Sequence, residues 1–219
     1  MKLETIYKEL LNMRTEDGGI NAIKYMELIE KVEEQVRLET CFKTTNKTRI
    51  SAIKKVASKL NSHPALQGFG IVGDFKVVTD SYHLIAIKEE NMPLPLVATK
   101  EKLQELGIDL KEYREKNGIN SILCYNYPNV SRLLEFNKDT EIEIDFNDIA
   151  SFYKLNHSLK EKDKQLYTIN ECLYNINYLK NIIDTLGTTT KCYFQGENTP
   201  LYFENENGEI GLVLPIKKY

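Results

Sequence analysis

The chain lacks a basic excess. Its 29 lysines and arginines are outweighed by 32 aspartates and glutamates, for a formal charge of -3, whereas a protein that simply coats nucleic acid carries the opposite balance. Any contact with DNA must therefore come from a local basic face. Cysteine is scarce too: Cys41, Cys124, Cys172 and Cys192 are scattered without a CxxC pair. The N-terminus has no apolar signal core, so a reducing cytoplasm is expected. No apolar run approaches the roughly 20 residues that span a bilayer, which predicts a soluble protein. Catalytic signatures are missing as well. His63, His83 and His157 form no ligand spacing with the cysteines, and neither GxSxG nor HExxH occurs. Gly68-Phe69-Gly70-Ile71-Val72-Gly73 lacks the Lys-Ser/Thr that a phosphate loop needs, and a hairpin explains it better. Glu141 and Glu143 alternate with Ile142 and Ile144, as the wet face of a strand does. These gaps predict a protein that is no enzyme and needs neither cofactor nor metal.

What is present is a globular composition. With 219 residues, 42% of them hydrophobic, the chain can bury one generous core or two small ones, and two domains are the natural expectation. Met1–Met13 and Ile20–Leu38 show helical spacing around a Gly18-Gly19 break, an N-terminal helical arm over residues 1–38. Residues 39–43 read as a short strand. The 48–60 stretch reads as an amphipathic helix, with Ile50, Ile53, Val56, Ala57 and Leu60 inward and Lys47, Lys54, Lys55 and Lys59 outward. Residues 68–72 and 75–80 form a hairpin around Gly73-Asp74, continued by a strand at 83–88. Short helices at 99–106 and 110–116 and a strand at 121–125 follow.

The charged, turn-prone 135–139 segment sets a boundary, giving one domain over 39–138 and another over 139–219. The second half holds a strand at 141–144 and a helix at 147–159 with Ile149, Phe152, Tyr153, Leu155 and Leu159 inward. A strand at 165–169 and a helix at 177–186 follow, the latter with Asn175 or Asn177 as cap, Gly187 as stop, and Tyr178, Leu179, Ile182, Ile183 and Leu186 inward. Strands at 191–194, 201–204 and 209–214 close the chain, the last two joined through the Asn207-Gly208 turn. Helix-then-strands thus occurs twice, a weak internal duplication in element order.

Three segments carry a resemblance. Val78-Thr79-Asp80-Ser81-Tyr82-His83-Leu84 resembles the Ala-Thr-Asp-(Gly/Ser)-x-Arg-Leu stretch of the bacterial DNA polymerase III beta-type sliding clamp, with His83 in place of Arg. Tyr127-Pro128-Asn129-Val130-Ser131-Arg132-Leu133-Leu134 is similar to that family's Phe-Pro-Asp-Tyr-x-Arg-Val-Leu linker into its last domain. Tyr174-Asn175-Ile176-Asn177-Tyr178-Leu179, with the tail Leu212-Val213-Leu214-Pro215-Ile216, resembles its Phe-Asn-x-x-Tyr-(Val/Leu) helix start and closing strand. The order along the chain is the family's.

The resemblance implies an α+β, DNA-clamp-like protein: two abbreviated helix-plus-antiparallel-sheet domains that match the clamp's middle and last domains, behind the helical arm. The chain is shorter than its counterpart between Leu84 and Tyr127, and between Leu159 and Tyr174 there is room for about one strand at roughly 3.3 Å per residue. The resemblance also implies a non-catalytic, replication-associated function. A groove between the domains would hold a short peptide of the polymerase or another replication protein at Thr79, Leu84, Pro128, Arg132, Leu133, Tyr178, Val213, Leu214 and Ile216. Aliphatic walls would take Leu or Phe anchors, and the prolines would fix backbone direction. Lys47, Lys54, Lys55 and Lys59 would meet the phosphates of double-stranded DNA without reading bases. A homo-oligomeric ring would need three such chains. Two plainer readings stand beside this: Leu84, Leu133, Val213 and Leu214 as core residues at strand ends, and the lysines as a solvated face. A clamp-fold interaction module that does not encircle DNA is the alternative function.

Overall fold

The computed structural model describes Tyr25, which lies in a helix, and residues 46–57, 63–89, 92–159, 161–187 and 190–217. The remainder of the helical arm, the strand expected at 39–43, Leu60 and Lys59 lie outside the described residues. Helices are numbered α1 (Asn46–Val56), α2 (Lys100–Glu105), α3 (Leu110–Asn117), α4 (Phe146–Asn156) and α5 (Ile176–Leu186). The strands are β1 (Gly70–Val72), β2 (Phe75–Thr79), β3 (His83–Ile87), β4 (Leu96–Val97), β5 (Ile122–Leu123), β6 (Glu141–Ile142), β7 (Leu166–Ile169), β8 (Cys172–Asn175), β9 (Lys191–Phe194), β10 (Leu201–Glu204) and β11 (Ile210–Val213).

One sheet of seven strands runs β1-β2-β3-β11-β10-β9-β6, and every pairing in it is antiparallel. The two halves of the chain meet in its middle, where β3 pairs with β11 in the register His83↔Val213, Leu84↔Leu212, Ile85↔Gly211 and Ala86↔Ile210. Gly73, at φ 56, supplies the left-handed turn of the β1–β2 hairpin. Gly208, at φ 68, does the same between β10 and β11.

Period-two alternation gives the sheet two apolar faces. Val78, Ile85, Ile87, Leu201, Phe203 and Val213 join the larger core with residues of α1, α4 and α5. Val77, Leu84, Ala86, Tyr193, Tyr202, Ile210 and Leu212 form the smaller one, covered by Val130 with Tyr127, Leu134 and Phe136. Helix α5 is capped by the Asn175 side chain, which accepts from Asn177 N–H, and stops at Gly187 with φ 94. Packed against α1, α4 and the sheet at once, it buries Asn181, Asp184 and Thr185 along with Leu179, Ile182, Ile183 and Leu186.

Several expectations change. Ile50 is exposed: Arg49 takes the inward position one turn before Ile53, because its guanidinium reaches Glu209 at 2.7 Å, and Ala52, Ile53, Val56 and Ala57 make the buried stripe. Leu155 is 76% exposed, since α4 rests on Ile149 and Ala150 with Phe152 and Tyr153 at its flank. The interval after Leu159 begins a full hairpin rather than one strand. β7 and β8 pair from Leu166↔Asn175 to Ile169↔Cys172 around Asn170 and Glu171 at φ 46 and 65, a turn whose left-handed residues include no glycine to announce it. The strand expected at 121–125 is two residues long and pairs in parallel with β4.

Candidate functional site: an aromatic column at the end of the sheet

Beyond Thr79 the chain turns sharply. Ser81 sits at φ 80, and Asp80 Oδ1 accepts the backbone N–H groups of Tyr82 and His83, each at 2.9 Å. The Thr79 hydroxyl donates to the His83 carbonyl at 2.8 Å. This self-bonded turn drives the His83 ring inward, to 1% exposure, while Tyr82 stands 61% exposed.

The buried imidazole is held on both nitrogens. Nδ1–H donates to Asp80 Oδ1 at 2.8 Å, and Asn181 Nδ2 of α5 lies 3.3 Å from Nε2. Burial tends to raise the Asp80 carboxyl, but the bonds from His83 and Tyr82 outweigh it and hold it below its ordinary value. Tyr178, on the first turn of α5, stacks on His83 with centroids 4.3 Å apart and planes at 16°. Tyr82 follows Tyr178 at 6.2 Å and 13°. Burial pushes the Tyr178 hydroxyl up, and the Asp80 charge adds to it.

The C-terminal tail closes the site. Leu214 N–H donates to the Tyr82 carbonyl at 2.9 Å, and Ile216 N–H donates to the Leu173 carbonyl at 2.7 Å, next to the start of α5. Leu214 and Ile216 remain 36% and 39% exposed. Tyr82, Tyr178, Leu214 and Ile216 thus form an apolar, solvent-reaching end to the sheet.

The other expected groove residues are distributed around it. Thr79 pairs with Leu84 and Leu84 with Leu212. Thr79, Leu84 and Val213 are buried, Leu84 toward the smaller core and Val213 toward the helices. Pro128 lines a cavity of about 450 Å³ with Ile71, Val72, Val97 and Tyr127. That segment is fastened where the Tyr127 hydroxyl donates to the Val77 carbonyl at 2.8 Å. Arg132 and Leu133 belong to a 3-10 turn, Ser131–Leu134, with Leu133 exposed. Tyr178 therefore flanks the helix side of the sheet and the 127–134 segment its opposite face.

Lys47, Lys54 and Lys55 are exposed on α1. Lys55 is close enough to Asp184 for its charge to act on that carboxylate, which burial nevertheless holds above its ordinary value against both Lys180 and Lys55. No group of histidine, cysteine, aspartate and glutamate among the described residues could hold a metal ion, and no described helix is long and apolar enough to cross a membrane.

Sequence reading missed the buried Asp80–His83–Asn181 chain. The Asp-Ser-Tyr-His spacing announces a turn with a carboxylate reaching forward, but nothing in the helical spacing marks Asn181 as the partner of a residue 98 positions earlier.

Neither a protein-family model nor a curated protein matches the chain. Solved structures do. It is similar to the beta sliding clamp of C. crescentus, with 12% identity and a TM-score of 0.52 over 80% of this chain and 64% of that one. Similar too is the Bartonella birtlesii sliding clamp solved bound to griselimycin, at 13% identity, TM-score 0.53, and 78% and 64% coverage. A Pseudomonas aeruginosa clamp gives 13% identity and a TM-score of 0.51. The chain spans about 64% of the length of these clamps. Its architecture is a shortened, divergent α+β sliding-clamp-like fold.

Proposed function

We propose that this chain is a non-catalytic, sliding-clamp-like protein of DNA replication that acts in the cytoplasm and binds a short peptide of a polymerase or another replication protein. The observation that carries the reading is the apolar end of the sheet, where Tyr82, Tyr178, Leu214 and Ile216 reach solvent on a rigid frame. A pre-formed wall lowers the ordering cost of holding an extended peptide. Thr79 and Val213, buried at the ends of β2 and β11, anchor the turn and the tail that carry these side chains, while Leu84 packs into the core on the other face. This wall stands where the two halves, 39–138 and 139–219, meet along β3 and β11, whereas Pro128, Arg132 and Leu133 belong with the 127–134 segment on the other face of the sheet and take no part in it. Lys47, Lys54, Lys55 and Lys59 supply a weak phosphate contact whose affinity falls steeply with salt.

One observation favours a second reading, an interaction module that does not encircle DNA. Outside the central sheet the described strands make only two ladders of two strands each, β4-β5 and β7-β8, short edges for joining chains into a ring. Light scattering of the full chain, with and without a peptide carrying Leu and Phe anchors, separates the readings. A trimer with salt-sensitive retention of duplex DNA supports the ring, and a monomer that binds peptide but not DNA supports the module. Peptide binding unchanged by both Tyr178→Ala and Leu214→Ser overturns the groove.

A further inference from the structure

A cavity of about 920 Å³ lies between the β1 edge of the sheet, the 92–96 segment and the end of α3, and its lining shares no residue with the apolar sheet end. Ile71, Met92, Leu94, Ile108 and Tyr113 line it as half-buried apolar side chains backed by the larger core. The wall that carries Leu94 is pre-formed. Pro93 and Pro95 fix its backbone direction, and it is fastened to the start of β1: Phe69 N–H donates to the Pro95 carbonyl at 2.9 Å, and Val97 N–H to the Phe69 carbonyl at 2.8 Å. Both the volume and the apolar walls are those of a small-molecule site.

The polar groups of the lining gather along one segment, where Gly118 at φ 98 ends α3 and the 3-10 turn Ile119–Ser121 follows. The Ser121 hydroxyl is closed off from solvent without a hydrogen-bond partner among the described residues, an unfavourable state that a ligand oxygen would relieve. Lys116 is exposed on the same segment and has no ion-pair partner among the described residues. Lys76, on the strand side, is engaged with the Glu89 carbonyl at 2.6 Å. The described residues of the lining include no carboxylate, so a negative group meets no like charge from them. A carboxylate fits this end, because its oxygens accept from an ammonium and a hydroxyl at once and its single charge matches Lys116. We propose that the cavity binds a small amphipathic monocarboxylate, its apolar body against Ile71, Leu94, Ile108 and Tyr113 and its carboxylate held by Lys116 and the Ser121 hydroxyl.

Isothermal titration calorimetry of the full chain tests this with octanoate and its neutral twin octanamide. Octanoate is expected to bind at one site per chain, about fivefold more tightly than octanamide at low salt. Lys116→Gln should bring the two ligands level by weakening octanoate alone. Leu94→Trp, which fills the cavity from its wall, should remove the binding of both while the variant still melts cooperatively. Should that variant fail to fold, the Lys116→Gln comparison decides, since an exposed lysine can be replaced without touching the core. Equal affinity of the twins in the unaltered chain, a preference that survives Lys116→Gln, many weak sites in place of one, or no binding of either ligand overturns the inference. None of these outcomes bears on the peptide groove, which shares no residue with the cavity.

Discussion

Arg49 shows how one side chain joins distant parts of the molecule. Its guanidinium pairs with Glu209 at 2.7 Å and Glu89 at 3.3 Å, and it donates to the Thr185 carbonyl near the end of α5. Glu209, almost fully buried, also accepts Lys88 N–H at 3.0 Å and Asn205 Nδ2 at 2.8 Å. Removing one member leaves the other charge buried without its partner, so Arg49→Ala should cost about 3 kcal/mol, read as a fall in the urea midpoint at unchanged slope. Burial pushes the Glu209 carboxyl up, but Arg49, Lys88 and Asn205 outweigh it and hold it below the ordinary 4.5. For an acid lowered in the folded state, the stabilisation is fully present above the unfolded value and disappears as pH falls through the folded one. Thermal melts should therefore show acid destabilisation setting in below about pH 4.5, with the step reduced in Glu209→Gln. The sequence gives no hint of this cluster, because a charged residue at a helix position next to an apolar stripe reads as solvated until its partner far along the chain is placed beside it.

Helix α5 and strand β11 are the element pair on which the site depends. A Cβ at Gly211 would lie 2.5 Å from Ile182 Cγ2 and 3.1 Å from Leu186 Cδ1, so the helix rests on the bare backbone of the strand. Gly211→Val should lift α5, cost about 2 kcal/mol through overpacking, and weaken peptide binding by displacing Tyr178. Asn175→Ala removes the cap bond to Asn177 N–H and should cost about 1 kcal/mol, with a smaller effect on binding; chemical denaturation of the two variants side by side checks the ranking. This helix was legible in the sequence, cap, stop and inward stripe alike, because each signal is local. The β7–β8 hairpin was only half legible, since its turn uses Asn170 and Glu171 where glycine would have marked it. For α4, the spacing of Leu155 fitted the apolar stripe, but the face that packs is set by where α5 lies.

At the scale of the molecule, the central sheet makes the two halves interdependent. β3 has β2 on one side and β11 on the other, and α5 packs across the junction on the helix-side face of both β3 and β11. A chain ending at residue 138 would keep α1 over β2 and β3 but lose α5 from the same core and leave β3 without its neighbour β11. Such a fragment is expected to show no cooperative unfolding transition by circular dichroism, whereas the full chain should unfold in one step. Two separate transitions in the full chain, with the fragment folded, would mean independent domains. The order of elements and the motifs around Thr79, Tyr127 and Tyr174 pointed to the clamp-like fold, which the solved clamps share. The junction β3–β11 was not visible, because it pairs residues 83–86 with 210–213 and no local pattern specifies a partner strand.

The sequence by itself determined most of the helices and hairpins and the set of apolar positions available for a groove, since periodicity, caps and turns act over a few residues. Tertiary structure alone decided which of those positions share a surface. The turn at Ser81 buried His83, lifted Tyr82 outward and set Tyr178 between them, while the 127–134 segment went to the other face of the sheet. The physical reason is that a strand sends alternate side chains to opposite faces, so residues adjacent in a motif part company as soon as the sheet has a helix layer on one side and a loop on the other.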